Sequence, residues 1–321
     1  MKKIILSMLT SLLIITFIIF KLDWLSVWSV IIETNLEIIA IALLFQMSII
    51  YLSAIRWNLF FKEDNLNLEL NYILRVTFIG AFFNNVLPSS NGGDAIRGYY
   101  IYKKGFGAAV AFSPIITERI IGLVTTLAMA AIFIQFIVIQ HEWFNEVRII
   151  IPLIFLLSTI CVVLLGIPSI YKMINRLLES KKSYRVIAAI LRIIESTHLY
   201  FGNSNLMIKI SLLSTLIHVI AVLVVWLLAV GVGSDISLLV VIAVTPIIFA
   251  ISGIPITIGG LGLREGVMIT FFVAVGMGYS HAASLAIYFI FILLFASLPG
   301  FILFLLGKSS LPLTSTLKVH S

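Results

Sequence analysis

Runs of about 20 apolar residues recur along this chain, and a run of that length crosses the hydrocarbon core of a bilayer as a helix. They occupy 36–61, 119–140, 149–168, 206–231 and 281–306, with a shorter one at 236–254. Lipid offers backbone groups no partners, so the segments crossing it must be helices or a closed barrel. Runs this long and continuous read as helices. A soluble fold is excluded by composition, because 61% of the 321 residues are hydrophobic and 11% are charged, too few to cover such a core. The chain is expected to be an all-α polytopic membrane protein with about 7–9 membrane segments.

Charge sets the orientation. Lys2 and Lys3 precede the first apolar stretch, whereas 21–35 balances Lys21 against Asp23 and Glu33. Basic loops stay in the cytoplasm, so the N-terminus is placed inside. Lys103 and Lys104 also fall inside, the acid-rich "HEWFNEVR" at 141–148 falls outside, and Lys172, Arg176, Lys181, Lys182, Arg185 and Arg192 mark a cytoplasmic segment. The last run ends inside at Lys308. The net charge of +7 is thus a topology signal, and nucleic acid is not an expected partner. The opening "MKKIILSMLTSLLIITFIIF" lacks a small-residue cleavage site and reads as a retained span.

One integral domain, 1–308, follows from this walk: a first span and outer loop (1–35), a first repeat (36–168), a cytoplasmic amphipathic stretch (169–205) and a second repeat (206–308). A short polar tail (309–321) ends it. In the amphipathic stretch Ile187, Ile190, Leu191 and Ile194 share one helical face opposite basic residues. Such a helix can lie on anionic headgroups or pack as a solvated helix on the bundle.

The word "repeat" rests on two interruptions. "NVLPSSNGGDAIRGY" (85–99) and "SGIPITIGGLGLREG" (252–266) place Pro, Gly-Gly and Arg at the same spacing, with Pro255, Gly259, Gly260 and Arg264 each 167 positions after Pro88, Gly92, Gly93 and Arg97. The first motif is approached from the cytoplasm and the second from outside, the pattern of two inverted repeats, each with a broken or re-entrant helix. A Gly pair ahead of a resumed helix, followed by Arg, offers a positive helix end and a guanidinium to an anion. Glycines that only permit close packing, with arginines snorkelling to the interface, are the simpler alternative.

Glu118 and Arg119 stand at the head of an apolar run below Pro114, which reads as an elbow; charges at such depth are functional or paired, and an interfacial arginine at a helix end is the simpler alternative. Adjacent residues diverge on a helix, so the two should take different partners: the anion site for Arg119, and Arg97 or Arg264 for Glu118. Asp94, Glu265, Asn84 and Asn85 are further polar partners. Arg56, beside Trp57, reads as an interfacial anchor. The histidines have no metal-ligand spacing, and Cys161 has no partner. No metal, cofactor or catalytic residue is assigned.

The three segments "NNVLPSSNGGDAIRGYYIYKKG", "TERIIGL" and "GIPITIGGLGLREG" resemble the flippase-like transmembrane domain of lysylphosphatidylglycerol synthases and its stand-alone bacterial and archaeal relatives. The matching residues are Asn85, Leu87, Pro88, Gly92, Gly93, Asp94 and Arg97, then Glu118, Arg119 and Gly122, then Pro255, Gly259, Gly260, Gly262 and Glu265. The resemblance covers about 36–306. It implies a plasma-membrane protein that moves an anionic phospholipid or polyprenyl-phosphate-linked lipid between leaflets, with both termini cytoplasmic. No lysyl transfer is expected, since the soluble synthase domain has no counterpart here. The alternative is a non-catalytic partner of a lipid-modifying enzyme, or an enzyme of a lipid-modification or glycosyl-transfer pathway.

Overall fold

The computed structural model describes residues 23–87, 92–137, 142–179, 185–253 and 262–307, with Thr10, Leu13, Thr16, Phe20 and Thr257 besides. Among these residues there is no strand. The helices are α1 (Trp24–Glu33), α2 (Leu36–Glu63), α3 (Leu70–Val86), α4 (Gly92–Lys103), α5 (Ala108–Phe133), α6 (Glu142–Gly166), α7 (Pro168–Glu179), α8 (Arg185–Gly202), α9 (Ser204–Gly231), α10 (Leu238–Ser252), α11 (Leu263–Ala274) and α12 (Tyr279–Leu306).

Five helices are long and apolar enough to cross a membrane: α2, α5 with its 3₁₀ extension, α6, α9 and α12. Their outward faces carry large apolar side chains in the open, among them Leu44, Leu156, Val163, Leu212 and Phe295. On a water-soluble molecule such a surface would aggregate; against acyl chains it costs nothing. The chain is a multi-pass membrane protein.

Local chemistry fixes where the long helices begin. Asn35 caps α2 by accepting from the amides of Glu37 and Ile38, and Asn203 caps α9 by accepting from Leu206. These two helices pack against each other and run antiparallel. The Asn35 amide donates to the Gly231 carbonyl at one end (2.9 Å), and Asn203 donates to Glu63 at the other. The second end also carries α7 and α8, where Tyr200 donates to Asp64 at 2.6 Å. Burial pushes the Asp64 carboxyl above its usual value, against the opposing pull of that hydrogen bond.

Between these ends hang two shorter helix pairs. Tyr72 of α3 reaches the Tyr100 carbonyl of α4, and Gly80 meets Gly93, so α3 and α4 form an antiparallel hairpin that starts and finishes at the α7–α8 end. The pair α10 and α11 lies between the end of α9 and the start of α12, at the opposite end. The packing then exchanges partners: α3 lies on α12 and α10 on α5, while α2 touches α12 and α9 touches α5. The largest apolar core gathers α9, α10 and α12 around Phe272, Leu228 and Ile247, and a second core of Trp57, Phe61, Ile73 and Ile101 fills the α7–α8 end.

Two expectations change. Pro114 sits inside a continuous α5, past its first turn, where it removes one amide from the helix ladder without breaking the helix. The stretch 170–200 is two helices. Within α8, Ile190 is 45% exposed whereas Leu191 is buried.

Candidate functional site

The hairpin α3–α4 is built on glycine because its backbones touch. A Cβ at Gly93 would lie 1.8 Å from the Gly80 carbonyl oxygen, and one at Gly300 of α12 would lie 2.0 Å from the Phe78 oxygen. No side chain fits at either contact. The Gly93 amide donates to Asn84 Oδ1 at 2.8 Å, closing the hairpin near its tip. Asn85 donates to the Leu293 carbonyl and to Ser297 Oγ, both at 3.1 Å, which moors the tip to α12. The predicted free amide at Gly93 is therefore already used.

This mooring holds Arg97 and Asp94 over the middle of α5, where they join a chain of charges. Arg56 Nε donates to Glu118 Oε1 at 3.2 Å, and Arg97 Nη2 donates to Glu118 Oε2 at 3.0 Å. Arg97 Nη1 lies 3.4 Å from Asp94 Oδ1, and Asp94 Oδ2 accepts from Arg119 at 2.6 Å. Arg56 also donates to Ser214 Oγ of α9 at 2.8 Å, and Trp57 lies under the Arg97 guanidinium at 4.1 Å. Arg97, Glu118 and Asp94 are buried, Arg56 nearly so, and Arg119 is half-exposed. The cluster thus ties α2, α4, α5 and α9 together. It holds three guanidiniums and two carboxylates.

As expected from their divergent directions on α5, Glu118 and Arg119 take different partners. Of the two arginines considered for Glu118, Arg97 is the partner. Arg264 stands apart, bonding the adjacent Glu265 at 2.6 Å, with Phe289 5.2 Å from its guanidinium. Neighbours meet here because they open a helix: Glu265 folds back to accept from the Gly262 amide at 2.6 Å. Gly262 has φ +84°, a left-handed conformation that glycine adopts without strain. Among the described residues no hydrogen bond or ion pair joins this second cluster to the first. Pro88, Pro255, Gly259 and Gly260 lie outside the described residues, and Gly92 packs on Leu87.

Arg56 was missed as a cluster member and read as an anchor. The signal was its depth: it lies seven positions inside the end of α2, about 10 Å at the helical rise. His218 of α9 bonds Thr126 and the Gly122 carbonyl of α5, an ordinary helix-to-helix contact. Among the described residues no group of three or more His, Cys, Asp or Glu could hold a metal.

Comparison with known proteins places this arrangement. The family model of the lysylphosphatidylglycerol synthase TM region matches residues 4–300. The chain is 25% identical over 272 residues to the UPF0104 membrane protein MJ1595 of Methanocaldococcus jannaschii, covering 80% of this chain and 81% of that one. It is 23% identical over 285 residues to the UPF0104 membrane protein PH1989 of Pyrococcus horikoshii, with 78% and 81% covered. A UPF0104 membrane protein of Methanothermobacter thermautotrophicus is 24% identical over 263 residues, with 77% and 78% covered. Matched along nearly its whole length, the chain belongs to the lysylphosphatidylglycerol synthase transmembrane family.

Proposed function

We propose that this protein is a lipid flippase or transporter, moving an anionic phospholipid or a polyprenyl-phosphate-linked lipid between the leaflets of a bacterial or archaeal plasma membrane. One observation carries the reading: a net-positive cluster of arginines and carboxylates, largely buried inside a helical bundle, assembled on a hairpin of two short helices outside the five long candidate spans. Charges at such depth mark ligand pathways. This reading makes the chain a carrier and not an enzyme.

The inverted-repeat reading supports transport. The 167-residue displacement sets α2 on α9, α3 on α10, α4 on α11 and α5 on α12. The matched helices α2 and α9 are antiparallel, and the contacts of one half recur with partners exchanged. Such a pair of halves can present one site alternately to either side. The α7–α8 end, with Lys172, Arg176 and Arg192, is assigned to the cytoplasm.

The test is leaflet translocation of fluorescent lipids by purified protein in liposomes, with a panel of phospholipids and polyprenyl phosphates. Wild-type protein should move an anionic lipid faster than protein-free vesicles do. Arg97→Ala, Arg264→Ala and Arg56→Gln should each lose that activity while remaining abundant in the membrane. No movement of any anionic lipid overturns the proposal, and normal movement by Arg97→Ala removes the cluster from it.

A further inference from the structure

Arg119 stands on an apolar, open stripe of α5. Ile116, three residues before it, and Leu123, four after it, share its face and are 40% and 48% exposed. The Arg119 side chain is 54% exposed. Its position lies well inside the helix. It is the twelfth residue of α5, about 17 Å from the helix start at 1.5 Å per residue, and α5 with its extension runs on to Phe136. A guanidinium at that depth, on a face that meets acyl chains, is costly unless a negative charge joins it.

Its internal partner is shared. Asp94 serves both Arg119 and Arg97, and Glu118 serves both Arg97 and Arg56, so one guanidinium charge of the cluster is uncompensated. Among the described residues no third carboxylate bonds to the cluster. A second observation points to a missing acceptor: Arg97 Nε is buried and has no hydrogen-bond partner, in a side chain only 9% exposed. Beside the stripe, between α5, α6 and α8, lies an apolar cavity of about 170 Å³ lined by Ile116, Ile120, Leu165, Ile193 and Ile194. Thr197 Oγ1, also on its wall, is buried without a partner.

We infer that the face of α5 between α4 and α8 is a lateral entrance for a lipid whose headgroup carries a single negative charge. The phosphodiester of such a lipid takes Arg119 from Asp94, while its acyl chains stay against Ile116, Ile120 and Leu123. The charge count selects the headgroup. One phosphodiester neutralises the cluster, a phosphomonoester overshoots it, and a zwitterion brings its own cation and does not neutralise it. The adjoining apolar stripe and cavity favour a lipid phosphate over a free one. The inference rests on the anionic-lipid reading above and narrows it to phosphodiesters.

The experiment places the photoreactive amino acid benzoylphenylalanine at position 116 of the full-length protein in liposomes. Labelled phosphatidylglycerol, phosphatidylcholine and phosphatidic acid are offered in turn. Phosphatidylglycerol should be captured about tenfold more than phosphatidylcholine, whose choline cation cancels the charge of the same phosphodiester, and more than phosphatidic acid. Arg119→Gln should bring phosphatidylglycerol and phosphatidylcholine to parity. Arg119→Lys, which keeps the charge, should keep the preference, so that loss in Arg119→Gln reports charge and not folding. Asp94→Asn, which removes the internal competitor, should raise capture. Equal capture by wild-type protein, a preference that survives Arg119→Gln, or preferred phosphatidic acid each overturns the inference. Displacement by soluble glycerol phosphate at equal concentration makes the site one for free phosphate and overturns it too. If capture is selective but no lipid changes leaflet, the entrance stands and the transport reading fails.

Discussion

Gly93 shows how little freedom single positions have in this molecule. Its missing side chain lets α3 and α4 touch at their backbones, and the contact leaves no room for one methyl group. Gly93→Ala should therefore destabilise the protein by about 1–3 kcal/mol or more, as over-packing does in a rigid core. A lowered thermal midpoint in detergent checks this, and an unchanged midpoint would mean that the hairpin relaxes freely. The glycine pair was visible in the sequence, but its task was not, because an anion cradle and a close packing contact use the same residue. Gly98 is equally instructive. Displaced by 167, it corresponds to Glu265, the carboxylate that pairs with Arg264. At the first motif Phe112 occupies the space where a side chain at 98 would go, at 2.3 Å from the Cβ position. Arg97 consequently takes its carboxylates from Asp94 and from Glu118 on α5.

At the scale of elements, hydropathy revealed the long helices and the Pro and Gly spacing revealed the two interruptions. Both signals lie within one segment. Interactions between segments were illegible: Arg56 and Glu118 stand 62 positions apart, and the depth of Arg56 in its run hints at a partner without naming one. The clasp between α8 and α2 was hidden for the same reason. Tyr200 is held protonated well above its usual range, first by burial and then by its hydrogen bond to Asp64. A group whose folded pKa is raised contributes stability that is present below its unfolded value, about 10 for tyrosine, and lost as pH climbs above it. The stability gap between wild type and Tyr200→Phe should thus be about 1–3 kcal/mol near neutrality and shrink above about pH 10. Thermal midpoints of both proteins at pH 7, 9 and 11 decide it, and a gap independent of pH would show that the hydroxyl contributes nothing through its proton.

For the whole molecule, the orientation assigned above predicts that a cysteine placed at Lys181, in a Cys161→Ser background, reacts with impermeant reagents from the cytoplasmic side, and one at Asn145 from the outside. Labelling of position 181 from outside alone would invert the assignment and undo the charge argument behind it. The pair α2–α9 has a further consequence for movement. Fastened to each other at both ends, through Asn35 with Gly231 and Asn203 with Glu63, these helices would serve the proposed transport as a stator. The backbone contacts at Gly93 and Gly300 weld α3, α4 and α12 into one block beside it. Helix α5, with α10 packed on it, stands in the opposing block. Among the described residues the ion pairs that cross from block to block are Arg97 with Glu118 and Arg119 with Asp94. In the proposed transport, any stroke that parts the blocks has to release both pairs, and an anion that holds the arginines instead would be a clutch, uncoupling the two blocks only while cargo is aboard.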